Sequence, residues 1–108
     1  VEVQYTARAG EALVTAFGTP EGKAFGLIVG APAAIGVVMA DTAVKSANVD
    51  VVGYRSPSST AMSNEVILQI SGDSGAVKQA VKAARDVGLA LLETMGNVPK
   101  NTGCSYII

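Results

Sequence analysis

An apolar stripe at helical spacing between residues 75 and 95 constrains the fold of this chain more than any other feature. Apolar residues recur there every three or four positions, which predicts one long amphipathic helix from Gly75 to about Met95. The stripe consists of Val77, Ala80, Val81, Ala84, Gly88, Leu91, Leu92 and Met95. Gly96 suits the position just past a helix end, and Pro99 is expected to prevent the helix from resuming. A helix with one apolar face needs a second layer to pack against.

The rest of the chain alternates between strand and helix patterns. Alternating or continuous apolar runs predict strands at residues 1–5, 24–29, 49–54 and 65–70. Two further helices are expected, a short one over residues 10–17 and a longer one that begins at Pro32 and ends near Asn48. The resulting β-α-β-β-α core predicts an α+β domain, with helices packed on one face of a single antiparallel or mixed sheet.

One uncharged run, from Ala24 to Ala40, could be mistaken for a membrane span. It is shorter than the roughly 20 apolar residues that a spanning helix needs, and Pro32 interrupts it. A buried strand that leads directly into a helix is the better interpretation, so no membrane association is expected. The N-terminus shows no signal-peptide pattern and Cys104 is the single cysteine, which together favour a cytoplasmic location.

The charge content indicates contact with other protein chains. Charged residues make up 16% of the sequence, against roughly 25% in a typical soluble domain. A domain of 108 residues cannot have little surface, so we expect part of that surface to be covered in a homo-oligomer. The net charge of -1 comes from eight basic and nine acidic residues, which gives no reason to expect a nucleic-acid partner.

The segment that most resembles a catalytic motif is Gly72-Asp73-Ser74-Gly75, which looks like the surroundings of a nucleophilic serine. That chemistry needs a histidine to accept the hydroxyl proton, and the chain contains none. We interpret the segment as a structural turn between a strand and a helix. The glycines allow the backbone conformations that a tight turn needs, and Asp73 or Ser74 caps the helix.

No cofactor or metal site is predicted. Glycines at positions 22, 26, 30 and 36 do not lie between a strand and a helix as a dinucleotide loop requires, and close packing of helix on sheet explains them equally well. The carboxylates form no evident cluster for a divalent metal. A single cysteine cannot form an intrachain disulfide or a cysteine-based zinc site. We therefore do not expect an enzyme.

Two segments resemble the signatures of bacterial microcompartment (BMC) shell domains. The first is Asp41-Thr42-Ala43-Val44-Lys45-Ser46-Ala47-Asn48-Val49, followed by Val52-Gly53-Tyr54, and the second is Gly72-Asp73-Ser74-Gly75-Ala76-Val77. The distance between the two segments and the β-α-β-β-α order also resemble those of BMC shell domains. The resemblance therefore covers about residues 23–95. Flanking segments at 10–14, 21–26 and 63–66 are similar to the second half of tandem-domain shell proteins of propanediol-utilisation compartments. Such proteins carry two permuted domains and form trimers.

The resemblance implies a single permuted BMC domain over residues 1–108. Its core would be residues 23–96, preceded by a permuted strand and short helix at 1–22 and followed by an extended tail at 97–108. The implied function is structural: assembly, with copies of itself and with other shell proteins, into trimeric or hexameric tiles of a compartment in the cytoplasm. Since one domain is present and the first residue is Val1, we expect a fragment, a split gene product or a trimmed form of a tandem protein.

Two sets of site residues follow from the resemblance. Lys45 takes the position of a lysine at the tile edge, with Asn48 beside it, where it would meet its symmetry mate across a two-fold contact. An ordinary lysine at a helix C-terminus is the alternative. The loop at residues 55–63 takes the position of a pore loop, and a solvated loop is the alternative there. The hydroxyl and amide groups that would contact small polar metabolites, such as diols, belong to Ser58, Ser59, Thr60, Ser63 and Asn64.

A small-ligand-binding regulatory module is the alternative function. Compact α+β domains with glycine-rich turns often bind metabolites. That function would require a defined pocket and saturable binding.

Overall fold

Each strand and helix expected from the sequence is present in the computed structural model, which describes residues 1–56 and 64–102, with side chains through residue 95. In chain order the elements are β1 (Glu2–Thr6), α1 (Glu11–Phe17), β2 (Ala24–Gly30), α2 (Ala33–Ser46), β3 (Asp50–Arg55), β4 (Val66–Gly72) and α3 (Ser74–Thr102). The boundaries lie close to the expected ones, except for the end of α3.

The sheet has four strands in the order β1-β2-β4-β3, and every neighbouring pair is antiparallel. Because β4 lies between β2 and β3, those two strands run parallel to each other and α2 is the crossover between them. The register places Val3 opposite Ile28, and Ile28 opposite Leu68. The prediction of an α+β domain built on one sheet is therefore confirmed, and the sheet is antiparallel throughout.

One face of the sheet forms the core together with α2 and α3. Side chains of a strand alternate between faces, so every second residue of β2 and β4 points toward these two helices. The buried cluster comprises Ala24, Ile28, Leu68 and Ile70 from the sheet, Ile35, Met39 and Ala43 from α2, and Val77, Ala80, Val81 and Ala84 from α3. Both long helices thus pack on the same face, as the sequence predicts.

Two glycines let the backbones of β2 and α2 touch. A Cβ added to Gly30 would lie 2.5 Å from the Gly36 Cα, and one added to Gly36 would lie 2.6 Å from the Gly30 carbonyl oxygen. Both distances are far inside the normal carbon contact of roughly 3.5–4.0 Å, so a side chain at either position would push the backbones apart. For these two positions, the interpretation as helix-on-sheet packing is confirmed.

The predicted stripe of α3 is buried from Val77 to Gly88 and becomes exposed toward its end. The residues from Val77 to Ala84 on that stripe are buried, whereas Leu92 and Met95 are 38% and 37% exposed. Leu91 is only partly buried against the core, so the burial of the stripe ends near this residue. Part of the apolar stripe is therefore on the surface of the single chain.

The end of α3 differs from the prediction. The helix continues through Gly96 and Pro99 to Thr102, so the expected end at Gly96 and the extended tail over residues 97–102 were wrong. Glycine inside a helix costs about 1 kcal/mol, and proline removes one backbone hydrogen bond at a cost of about 3 kcal/mol, so neither residue has to end a long helix. The last tail residues, 103–108, lie outside the described residues.

The short helix α1 lies against the other face of the sheet. The rings of Phe17, at its C-terminal end, and Phe25 in β2 are stacked with their centroids 5.0 Å apart and their planes at 24°. Phe25 is fully buried although it points away from α2 and α3. The contact covers one end of this second face and leaves its other end open.

The uncharged run from Ala24 to Ala40 is divided between β2 and α2, as predicted. No helix in the described part of the chain is both long and apolar enough to cross a membrane.

Replacing Gly36 by alanine is expected to destabilise the domain, because the new Cβ would meet backbone atoms of β2. Overpacking a core typically costs about 1–3 kcal/mol, and backbone cannot move aside as a side chain does. Gly88→Ala is the matched control: Gly88 is also inside a helix, but its Cβ would meet only the side chain of Met39, at 2.6 Å from Sδ. Urea unfolding should show Gly36→Ala losing at least about 1 kcal/mol more than Gly88→Ala. Equal losses would contradict the backbone contact.

Candidate functional site

The two signature segments meet in space at the C-terminal end of α2. The chain leaving α2 passes Gly72 at the end of β4, where a Cβ on Gly72 would lie 3.8 Å from both the Asn48 carbonyl oxygen and the Val49 Cα. From the other side, Gln79 in the second turn of α3 reaches Ser46. We call Lys45, Ser46, Asn48, Gly72 and Gln79 the α2-end cluster.

Lys45 lies in the last turn of α2, and its charge is directed to the surface. Its Nζ is 2.8 Å from Asp41 Oδ2, one helical turn earlier, and the two side chains are 73% and 56% exposed. An exposed pair at this spacing contributes only about 0.3–0.5 kcal/mol, so the ammonium group can exchange Asp41 for another partner at little cost. Asn48 is also exposed. Both predicted edge residues are therefore accessible to a neighbouring surface.

The end of α2 is closed by side chains rather than by a glycine. Its C-cap residue, Ala47, is extended, with φ -157° and ψ 161°, so the chain leaves the helix at once. The last carbonyls of a helix have no partner within the helix. The Ser46 hydroxyl donates to the Ala43 carbonyl oxygen at 3.0 Å, and Gln79 Nε2 donates to the Ser46 carbonyl oxygen at 2.7 Å. These two bonds supply donors to carbonyl oxygens near the end of the helix.

Gln79 was not among the site residues predicted from the sequence. It is an exposed polar residue on α3, between Lys78 and the buried Ala80, and nothing in the sequence distinguishes it from the other polar residues of that helix. Its partner is 33 residues away in the chain. No local pattern reports a hydrogen bond of that range.

The turn at Gly72 joins β4 to α3. Gly72 has φ +153°, a value that side chains rarely allow, whereas Gly75 has no such value and nothing lies within 4 Å of where its Cβ would be. The Asp73 carbonyl oxygen accepts a hydrogen bond from the Val77 backbone N–H at 2.9 Å, so Asp73 stands at the start of the helix. The Ser74 hydroxyl pairs with the Tyr5 hydroxyl of β1. This serine therefore joins the turn to the edge strand.

The predicted pore residues are only partly within the described chain. Ser58, Ser59, Thr60 and Ser63 lie outside the described residues. Asn64 is exposed, and its Oδ1 accepts a hydrogen bond from the Ala33 backbone N–H at 3.4 Å, at the first turn of α2. Since α2 has 14 residues, about 20 Å of helix separates Asn64 from Lys45. Among the described residues of the two predicted sites, Asn64 and Lys45 therefore lie at opposite ends of α2.

Two open depressions lie on the described surface. One of about 600 Å³ occupies the free part of the second sheet face, where Phe17, Leu27, Tyr54, Arg55 and Gln69 are among its lining residues. Another of about 500 Å³ lies at the edge of the sheet beside β1 and below Leu89 of α3. Both are open to solvent, whereas a small-ligand site usually buries most of the ligand's surface. In the described residues, no group of three or more potential metal ligands comes together.

Large apolar side chains are exposed on several elements of the single chain. They are Val37, Val38 and Val44 on α2, Val51 and Tyr54 on β3, and Leu89, Leu92 and Met95 on α3. Val37 and Val51, for example, are 52% and 53% exposed. Together with the low charge content, this exposure is typical of a surface that contacts other chains.

Comparison with known proteins places these features in a family. The BMC domain family model matches residues 24–102. The bacterial microcompartment shell protein PduB of Salmonella typhimurium is 63% identical over 108 residues, which are 99% of this chain and 40% of PduB. The chain therefore spans less than half the length of this curated relative.

Solved structures give the same result. EtuB from Clostridium kluyveri superposes with a TM-score of 0.83 at 50% identity, over 88% of this chain and 42% of EtuB. A trimeric bacterial microcompartment shell protein PduB superposes with a TM-score of 0.81 at 56% identity, over 88% of this chain and 42% of that protein. The similarity extends beyond the two signature segments to nearly the whole described fold.

Replacing Gly72 by alanine is expected to destabilise the domain by about 1–3 kcal/mol, because its backbone conformation is one that glycine adopts most readily. Gly75→Ala, three residues later, is the matched control. It adds a methyl group in open space inside a helix, where alanine is favoured over glycine by up to about 1 kcal/mol. In chemical denaturation, the unfolding midpoint of Gly72→Ala should therefore lie below that of the wild type, and the midpoint of Gly75→Ala should lie above it. Equal midpoints would show that the Gly72 conformation carries no strain.

Proposed function

The chain belongs to the BMC domain family, and on that premise we propose that it is a structural domain of a bacterial microcompartment shell. It assembles, with copies of itself and with other shell proteins, into trimeric or hexameric tiles of the wall. The observation that carries this proposal is 63% identity to a shell protein over the whole chain. The exposed apolar side chains of α2, β3 and α3 support it, because a tile would cover them.

Assembly into a closed ring is the form that the relatives suggest. One similar protein is described as trimeric, and this chain matches 42% of its length. Six domains of this size would therefore fill a ring that three longer chains build. Such a ring uses a heterologous contact, in which two different faces of the domain meet and the rotation closes.

The edge of the tile is the second part of the proposal. We place Lys45 and Asn48 at that edge, against the same residues of a neighbouring tile across a two-fold axis. Their exposure at the end of α2 supports this, as does the weak hold of Asp41 on the Lys45 ammonium group. A two-fold contact is self-complementary, so one patch on each edge suffices to extend a sheet of tiles.

Passage of small polar metabolites, such as diols, is the third part. It would use the hydroxyl groups of Ser58, Ser59, Thr60 and Ser63 together with the Asn64 amide. The position of Asn64 supports the assignment: it lies about 20 Å from Lys45 along α2, so one domain can present one end to the tile edge and the other to the tile interior.

The names and the family of the relatives indicate a structural role, and we propose that the domain itself catalyses no reaction. The regulatory-module alternative is not favoured, because the similar proteins are shell proteins and the described depressions are open. A shell role needs surfaces that pack against neighbours rather than a site that encloses a ligand.

Lys45→Ala is expected to leave the fold and the ring intact but to abolish the extended sheets. The side chain is exposed and its ion pair is weak, so the melting temperature should fall by no more than about 3 °C. Electron microscopy would score sheets, and light scattering would score ring mass. Lys82→Ala, which removes an exposed lysine from the middle of α3, is the control and should form sheets as the wild type does. Unchanged sheets with Lys45→Ala would show that the edge assignment is wrong.

A further inference from the structure

We propose that Gln79 is a positioning residue for the tile edge: its side-chain amide fixes the C-terminal end of α2 and thereby the places of Lys45 and Asn48. This inference rests on the proposed function, since it concerns the same edge. Its basis is the 2.7 Å hydrogen bond from Gln79 Nε2 to the Ser46 carbonyl oxygen. Ser46 follows Lys45 directly and precedes Asn48 by two residues, so the bond is made within the α2-end cluster.

Side-chain hydrogen bonds, rather than a backbone cap, close the end of α2, while just beyond it Val49 packs against the core and Asp50 pairs with Ser71 of β4. Because Ala47 is extended, α2 has no glycine-type cap that would close its end by backbone bonds. The Ser46 hydroxyl bonds back to Ala43 within the same helix, which satisfies a carbonyl but does not tie the helix to the rest of the domain. Among the described residues, the Gln79 bond is the one side-chain hydrogen bond that joins α3 to α2.

The remaining contact between these helix segments is apolar and made by small or β-branched side chains. Ala43, Val77 and Ala80 are fully buried there. Apolar packing sets the distance between two helices, but it is non-directional and tolerates small sliding movements. A hydrogen bond is directional, and its strength falls steeply when its angle is lost. The Gln79 bond therefore fixes the axial position of the end of α2, which the apolar contact leaves loosely defined.

A small displacement matters more at the edge than in the fold. In a two-fold contact, any shift of Lys45 occurs in both partners at once. A tile repeats that contact on every edge, so a misplaced helix end weakens each junction of the sheet. The fold itself has the whole sheet and both helices to stabilise it. We therefore expect loss of the Gln79 bond to act on sheet assembly far more strongly than on folding.

The test compares three variants of Gln79 with one control. Gln79→Glu has the same shape but presents an acceptor to the Ser46 carbonyl at neutral pH, and Gln79→Ala removes the group. Gln79→Lys restores an N–H donor on a side chain long enough to reach, with a charge that suits a helix C-terminus. Gln4→Glu makes the same chemical change on the exposed side of β1 and controls for the added negative charge.

The expected result is a split between assembly and stability. Gln79→Glu and Gln79→Ala should raise the protein concentration needed for sheets by at least about tenfold, with ring mass unchanged and a melting temperature within about 5 °C of the wild type. Gln79→Lys should restore sheets, and Gln4→Glu should not impair them. Electron microscopy, light scattering and thermal unfolding give the three readouts.

Other results would overturn the inference, and they separate it from the proposed function. If Lys45→Ala abolishes sheets while Gln79→Glu forms them normally, the edge assignment stands and the role of Gln79 is refuted. The role is equally refuted if Gln79→Glu breaks the ring or unfolds the domain, because the bond would then serve general stability, or if Gln79→Lys fails to restore sheets. If the wild type and Lys45→Ala behave alike, both forming sheets or both failing to form them, the edge assignment is wrong. This inference is then wrong as well.

Discussion

Where α2 crosses β2, the backbones of helix and strand are in direct contact, and Gly30 and Gly36 leave no room for a Cβ on either side. This contact sets the depth at which α2 lies on the sheet, and α3 packs beside it over Met39 and Ala43. The two ends of α2 are then held from outside: Asn64 bonds its first turn, and Gln79 bonds its last carbonyl. Lys45 and Asn64, one residue from each proposed site, lie at opposite ends of this one helix. Their separation follows from its length.

Much of this fold could be predicted from the sequence, because its elements carry strong local periodicity. The buried part of α3 shows the 3.6-residue repeat, and β4 shows the two-residue repeat, so both were predicted nearly as they occur. The C-terminal end of α3 could not be predicted from local periodicity. Gly96 and Pro99 are local signals for termination, and they were outweighed by the continuity of a long helix. The stacking of Phe17 on Phe25, across the face away from the long helices, likewise has no periodic signature.

The candidate site shows the same division. Lys45, Asn48 and the Gly72 turn were found through two short segments that resemble a family. The structure brings those segments together although Gly72 follows Asn48 by 24 positions in the chain. Gln79 was not found, since an exposed polar residue on an amphipathic helix carries no sign of a distant partner. The exposed apolar side chains, such as Leu92 and Met95, were predicted as part of a buried stripe. Their exposure in one chain and their apolar character together fit a domain whose natural state is an assembly, in which neighbouring copies complete the burial.

Self-assembly is thus the property on which the account of this domain depends, and its solution mass tests it most directly. Light scattering on the purified 108-residue chain should give three or six times the monomer mass of 10.9 kDa, with larger species as sheets form. A single species of 10.9 kDa at every concentration examined would contradict the account. It would show that the exposed faces of α2, β3 and α3 do not bring copies of this chain together.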